Sequence, residues 1–268
     1  MSEPGVVERL RAAGCVFAEE EAELLRAAAT GPVELDALVE RRVAGLPLEH
    51  VVGWADFAGL RIEVDEGVFV PRRRTEFLIG RAVGLARPGA VCVDLCCGSG
   101  AAAAVLLASV EGAEVHASDI EPAAVRCARR NVEPRGGRVY EGDLFDPLPP
   151  ELRGRVDVLV ANVPYVPSGD VALLPPEARD HEPLVALDGG ADGLDVLRRV
   201  AADAVDWLAP GGRLLVETSE RQAAAAVTAV TAHGLAAEIV EDEEWYATVL
   251  VATRTGRDIP GAAASASR

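Results

Sequence analysis

The first 45 residues repeat apolar side chains at helical spacing. Val6, Val7, Leu10 and Ala13 make one stripe, Ala18 to Ala29 is an acidic run rich in alanine and leucine, and Leu35, Leu38, Val39 and Val43 make another. Gly31-Pro32, and Gly45 with Pro47, punctuate them, so the pattern predicts a small unit of two or three helices. From Phe57 the period changes to two. Leu60, Ile62 and Val64 alternate with Arg61, Glu63 and Asp65, Glu66-Gly67 turns, and Val68, Phe69 and Val70 follow, which predicts a hairpin over 57–70. Pro71 ends it and Thr75 opens a helix to about Ala86. Beyond residue 90 the rhythm is strand, loop, helix, repeated. Strands are expected at Val91–Leu95, Glu114–Ala117, Arg138–Glu141, Val156–Ala161, Arg213–Glu217, Ala236–Val240 and Thr248–Thr253. Helices are expected at Ala101–Ser109, Pro122–Arg130, Leu194–Leu208 (stopped by Pro210-Gly211-Gly212) and Arg221–His233. Alternation of this kind predicts an α/β fold whose parallel sheet is covered on both faces. Residues 255–268, small and polar, read as a frayed, disordered tail.

Charge narrows the partners. The 268 residues carry 26 basic against 43 acidic side chains, a net charge of −17, and every base is arginine. No third of the chain is net basic, so the stripe that phosphate neutralisation needs is missing and nucleic acid is disfavoured as a direct partner. No run of 18 apolar residues exists to span a membrane, and Met1-Ser2-Glu3-Pro4 lacks the features of a signal peptide. Cys15, Cys92, Cys96, Cys97 and Cys127 form an odd set without metal-ligand spacing, which reads as reduced thiols in a cytoplasmic protein with no metal.

The sharpest local signal is Val91-Cys92-Val93-Asp94-Leu95-Cys96-Cys97-Gly98-Ser99-Gly100-Ala101, a strand running into a glycine turn that opens a helix. Glycine lets backbone approach a ligand, and the helix start offers free N–H groups. Alone it fits NAD, FAD or S-adenosylmethionine. Three acids at three successive strand ends favour the last. Asp94 inside the first strand's end suits a cationic ligand better than a pyrophosphate. Asp119, next to Ile120 after the second strand, can accept from ribose hydroxyls. Asp143 with Leu144 follows the third strand, where adenine is held in such enzymes.

After the fourth strand comes Asn162-Val163-Pro164-Tyr165. Asn162 offers a carbonyl acceptor and an amide donor, Pro164 forces Val163 extended so that its carbonyl has a fixed direction, and Tyr165 supplies a flat π face. Together they can accept both N–H bonds of a planar –NH2 group and stack over it.

These residues resemble the Asn-Pro-Pro-Tyr motif of methyltransferases acting on planar nitrogen. Three further segments resemble the HemK/PrmC-type protein-glutamine methyltransferases in particular: Pro47 to Gly53 with Phe57, Phe69-Val70-Pro71-Arg72-Arg73-Arg74-Thr75-Glu76, and His181 to Asp195 with its Asp188-Gly189-Gly190-Ala191-Asp192-Gly193 core. The similarity spans roughly residues 47–253. It implies a class I S-adenosylmethionine-dependent methyltransferase, Rossmann-like, with a seven-stranded mostly parallel sheet. A small N-terminal helical domain for the substrate is implied at 1–46, a linker with a β-hairpin at 47–74, and the methyltransferase domain at 75–254. It implies Asp94, Cys96, Cys97, Gly98, Ser99, Gly100, Asp119, Ile120, Asp143, Leu144 and Asn162 at the cofactor, and Asn162, Val163, Pro164 and Tyr165 at the reacting group. The product is then S-adenosylhomocysteine, no metal is used, and the partner is a protein, a peptide-release factor being the family's substrate. The chain departs from the family in Val163 for the first proline, Cys96 and Cys97 for glycine and threonine, Arg73 for the second proline, and a short N-terminal unit. Val163 loosens the loop while keeping the backbone carbonyl. The departures suggest a divergent branch.

Arg72-Arg73-Arg74 reads either as a contact to the cofactor's carboxylate or a partner's backbone, or as a solvated turn. His181 reads as structural. An adenine-N6 nucleic-acid methyltransferase shares the Asn-x-Pro-Tyr logic but not the charge. A small-molecule N-methyltransferase of secondary metabolism would not need the N-terminal helices. A non-catalytic S-adenosylmethionine-binding protein has no use for Asn162, Pro164 and Tyr165 together, and an NAD oxidoreductase would lack its hydride-transfer acid.

Overall fold

The computed structural model describes residues 5–255; Met1 to Pro4 and all but the first residue of the tail expected at 255–268 lie outside them. The chain opens with three helices, α1 (Val6–Ala12), α2 (Ala18–Ala28) and α3 (Pro32–Val43), and a short α4 (Leu48–Val52). Their apolar stripes close on one another, with Leu10, Ala22, Leu25 and Val39 fully buried and Val51 against them. Arg42 is buried in the same unit. Its Nε donates to Glu21 at 2.6 Å and its Nη1 to Glu177 at 2.6 Å, 135 residues away in the chain.

A hairpin follows, but not the one that alternation predicts. Strands β1 (Trp54–Phe57) and β2 (Leu60–Glu63) pair antiparallel around Ala58-Gly59, and residues 64–70 form no strand. Ala58 and Gly59 both have positive φ, 48° and 78°, the backbone of a tight two-residue hairpin turn. Val64, Val68 and Val70 are buried as their spacing implies. Their backbone groups are bonded outside any ladder: Val64 N–H donates to the Gly53 carbonyl at 3.0 Å, Val68 N–H to the Asp65 carbonyl at 3.1 Å and Val70 N–H to the Glu182 carboxylate at 3.1 Å, and the Val68 carbonyl lies 2.8 Å from His50 Nε2. Burial holds His50 below its ordinary pKa, so the neutral ring donates that bond.

The remaining strands form one seven-stranded sheet in the order β5-β4-β3-β6-β7-β9-β8. They are β3 (Val91–Leu95), β4 (Glu114–Asp119), β5 (Arg138–Glu141), β6 (Val156–Ala161), β7 (Leu208–Thr218), β8 (Leu235–Asp242) and β9 (Ala247–Arg254). The first five run parallel, and β9 lies antiparallel to both β7 and β8. Alternate residues feed two cores. Cys92, Val158, Val160, Leu215 and Val249 pack against α5 (Thr75–Leu85), α6 (Ala101–Ser109) and α7 (Pro122–Val132). Val93, Leu95, Leu159, Leu214, Val216 and Leu250 pack on the other face against α9 (Asp195–Trp207) and α10 (Ala223–Thr231). Burial on both faces is why these strands read as continuous apolar runs. Pro210-Gly211-Gly212, expected as a stop between elements, lies within the span of β7, where the register with β6 jumps from Leu208 to Arg213. Between β6 and β7 the chain also makes a short α8 (Pro176–His181). No helix among the described residues is long and apolar enough to cross a membrane.

The order of strands reverses between β3 and β6. The chain builds outward from β3 to β4 and β5, then returns to lay β6 on the other side of β3 and builds outward again. Loops leaving the C-terminal ends of β3 and β6 therefore part in opposite directions and leave a crevice.

Removing the Arg42 side chain leaves the buried Glu21 carboxylate without its cation. Arg42→Ala is expected to destabilise the protein by about 3 kcal/mol, read as a lower urea midpoint at unchanged slope.

Candidate active site

The crevice is a cavity of about 780 Å³ at the C-terminal ends of β3, β4 and β6. The structure brings together on its wall Asp94, Cys96, Cys97, Gly98 and Ser99 after β3, Asp119 and Ile120 after β4, Asp143 and Leu144 after β5, and Asn162, Val163, Pro164 and Tyr165 after β6. Gly100 alone among the expected residues is not on the wall. Its φ is 77°, and a Cβ there would meet Val132 Cγ2 at 2.8 Å and Ala128 at 3.1 Å, so it lets α6 start close against α7.

Hydrogen bonds fix the strand ends. Asp119 accepts from Gly98 N–H at 2.8 Å and from Glu121 N–H at 2.9 Å, tying the glycine turn to β4. Asp94 is 1% exposed and accepts from Ala103 N–H at 3.1 Å, in the first turn of α6. Asn162 differs from both: its Oδ1 is buried and has no donor. Asn162 lines the cavity, and a turn of the amide about its last torsion would present this acceptor to a ligand.

The Asn162–Tyr165 loop is held from behind by the glycine-rich segment after α8. Val166 N–H donates to the Leu187 carbonyl at 3.0 Å, and Gly189 N–H to the Val166 carbonyl at 2.8 Å. A Cβ on Gly193, at φ 78°, would lie 2.2 Å from the Tyr165 carbonyl oxygen. Gln222 Nε2 donates to that carbonyl and to the Asp192 carbonyl, both at 2.9 Å. Sequence reasoning missed Gln222, which lies 57 residues from Tyr165. It also missed Glu217, which receives the Tyr165 hydroxyl at 2.9 Å, and Glu182, whose buried carboxylate is paired with Arg72.

Charge on the wall is asymmetric. Its three arginines are already neutralised: Arg72 by Glu182, Arg74 by Glu217, and Arg199 by Asp143. Thus Arg72 and Arg74 belong to the wall and are tethered, while Asp143 spends a carboxylate oxygen on Arg199. Asp94, Asp119 and Glu121 have no ion pair among the described residues. The cavity favours a cation beside Asp94 and offers a phosphate no unpaired guanidinium. Burial pushes the Asp94 carboxyl up to about 7, with the Asp119 charge adding and the Ala103 amide opposing. Burial likewise raises Asp119.

Comparison with known proteins agrees with this geometry. The family model described as "Methyltransferase small domain" matches residues 64–173. The chain is 42% identical over 243 residues to a release factor glutamine methyltransferase of Mycolicibacterium smegmatis, covering 84% of this chain and 86% of that one. It is 41% identical over 197 residues to the protein of the same name from Geobacter sulfurreducens, covering 72% and 68%. It is also 41% identical over 193 residues to a 4-amino-L-phenylalanine/4-methylamino-L-phenylalanine methyltransferase of Streptomyces pristinaespiralis, covering 69% and 65%. Among solved structures a methyltransferase of Pyrococcus furiosus superposes with a TM-score of 0.57 at 18% identity, over 74% of this chain and 90% of that one, which shows a shared fold.

Asp94 makes stability depend on pH. Below its ordinary value near 4 the carboxyl is neutral in folded and unfolded chains alike. As pH rises toward about 7 the unfolded chain ionises and the folded one does not, so stability falls through that window. Asp94→Asn is expected to be the more stable protein at pH 7, by up to about 4 kcal/mol. The difference should vanish at pH 4, as measured by thermal unfolding of both proteins across the range.

Proposed function

The chain belongs to the HemK/PrmC-type family of protein-glutamine methyltransferases, and on that premise we propose that it methylates the side-chain amide nitrogen of a protein glutamine, in a substrate of the release-factor kind, using S-adenosylmethionine. The observation that carries this reading is the convergence of Asn162, Val163, Pro164 and Tyr165 with the strand-end acids Asp94, Asp119 and Asp143 on one cavity wall.

The residues fit the cofactor. Asp94, the turn from Cys96 to Ser99, Asp119, Ile120, Asp143 and Leu144 would hold it, the carboxyl groups of Asp94 and Asp119 suiting a cationic ligand. When bound, S-adenosylmethionine supplies an electrophilic methyl group. The protein's task is then to prepare the acceptor. An amide nitrogen is a poor nucleophile because its lone pair is delocalised. Asn162 Oδ1 would accept one N–H bond of the glutamine amide and the Val163 carbonyl the other, which localises the lone pair and aims it. Tyr165 would pack against the amide plane. A C–N bond forms, the methyl's former bond breaks, and the surplus amide proton leaves to water, so no strong base is required. The helices within 1–46 would meet the protein substrate, 47–74 would link them, and 75–254 would carry the chemistry.

The paired arginines favour this acceptor over a nucleic acid. One specific observation supports a second reading: the relative that acts on 4-amino-L-phenylalanine matches this chain as well as several glutamine methyltransferases do. A small amine presenting a planar –NH2 group would use the same two carbonyl acceptors.

Asn162→Ala is expected to lower methyl transfer about 100-fold or more, the scale of one lost positioned polar group. S-adenosylmethionine binding, followed by calorimetry, should persist. Unchanged turnover would overturn the assignment. The acceptor itself is decided with labelled S-adenosylmethionine and a lysate of the source cell: label on a protein glutamine supports the first reading, label on a metabolite the second.

A further inference from the structure

Glu217 lies on β7 and is 3% exposed. Its carboxylate collects three donors from two separate parts of the chain. Oε2 accepts from Thr75 Oγ1 at 2.6 Å, while Oε1 accepts from Arg74 Nε and from the Tyr165 hydroxyl, each at 2.9 Å. Arg74 Nη2 donates in turn to the Tyr165 hydroxyl oxygen, and its guanidinium carbon stands 5.8 Å from the Tyr165 ring centroid. The phenol therefore has its proton committed to Glu217 and a lone pair committed to Arg74. At the other end of the same residue Gln222 holds the backbone carbonyl.

A hydroxyl engaged in this way has no proton for the acceptor, and the part of Tyr165 left to serve the cavity is its ring. Glu217 is buried while the Arg74 side chain is about half exposed, and an ion pair that water reaches on one side adds little stability. What the arrangement secures is geometry: the start of α5, the end of β7 and the loop after β6 all meet at one phenol oxygen.

We propose that Glu217 is a positioning residue for methyl transfer, acting by fixing the plane of the Tyr165 ring against the acceptor amide. The proposal rests on the reading of Asn162 and Tyr165 given above. The hydroxyl is an anchor and takes no part in proton transfer. Arg74 completes the anchor from the accepting side.

The full chain is assayed as Glu217→Gln, Tyr165→Phe and the double variant, with a glutamine-bearing release-factor fragment as acceptor. Glu217→Gln is expected to lower kcat about tenfold while leaving the KM for S-adenosylmethionine and the melting temperature close to wild type. Tyr165→Phe should lose about as much, and the double variant no more than either single one, because the two side chains act as one unit. A tenfold loss in each single variant with about a hundredfold loss in the double, or a kcat in Glu217→Gln within twofold of wild type, overturns the proposal. A second measurement needs no acceptor. The chain has three tyrosines, so 3-fluorotyrosine labelling gives three fluorine resonances, and the one absent from Tyr165→Phe is assigned. Burial and the Glu217 charge raise the Tyr165 phenol, so its titration should move to lower pH in Glu217→Gln; an unmoved titration overturns the grip itself. A wild-type enzyme inert on the glutamine fragment but with the fluorine shift intact would count against the acceptor and leave the anchor standing.

Discussion

Asn162 closes β6 with a buried amide oxygen that meets no donor, and such an omission costs a fold about 1–3 kcal/mol. The backbone of the loop that follows it is held from two sides. Leu187 and Gly189 bond the backbone of Val166, Gly193 lies against the Tyr165 carbonyl at a distance only glycine allows, and Gln222 takes the same carbonyl from the side. The long excursion between β6 and α9 is thus a brace for the loop that carries this acceptor. Stability is given up at one atom and supplied by its surroundings, as at many sites that await a ligand.

Charge is arranged on the same principle. The chain is acidic throughout, yet the cavity wall contains three arginines, each neutralised by a carboxylate from another element. Their use is structural: Arg72 joins the start of α5 to Glu182, and Arg74 joins it to β7 and Tyr165. The carboxyl groups at the ends of β3 and β4, Asp94 and Asp119, have no ion pair among the described residues. Attraction for a cation and indifference to phosphate follow from this pairing as much as from the net charge of −17, which by itself says nothing about one cavity.

How far the fold was legible follows from the reach of each signal. The β3–β6 strands were readable because burial on both faces turns a strand into an apolar run between glycines, and each neighbouring helix carries its own stripe. The hairpin was misplaced because Val64, Val68 and Val70 alternate in burial whether or not a ladder exists; only the partners of their backbone groups, Gly53, Asp65, Glu182 and His50, distinguish the cases. Residues 166–194 gave no period because their helical turns are too short to show one, and they were visible only through resemblance. At the site, Asp94, Asp119 and Asn162 stood out because a strand end is a local feature. Glu217 and Gln222 did not, because each acts on Tyr165 from more than 50 residues away. Nothing in a lone Glu of an apolar strand distinguishes an anchor from an edge charge.

The two departures at the site have physical consequences of opposite kind. Cys96 sits at φ 54°, a region that costs a side chain about 1 kcal/mol, and it stands where the family pattern has glycine. Burial pushes its thiol well above the ordinary range, so it lines the cavity as a neutral group and leaves the charge balance beside Asp94 unchanged. Val163 stands where the family has proline. Its side chain is 2% exposed and packs in the same core as Val93, Leu144 and Leu159. Pro164 still restricts the Val163 backbone to extended conformations, so its carbonyl keeps its direction through the following proline and its own buried side chain. A ring at position 163 would fix φ in the unfolded chain too. Valine gives up that entropic advantage and recovers the order through burial, which ties the aim of this carbonyl to the packing of the core beneath it.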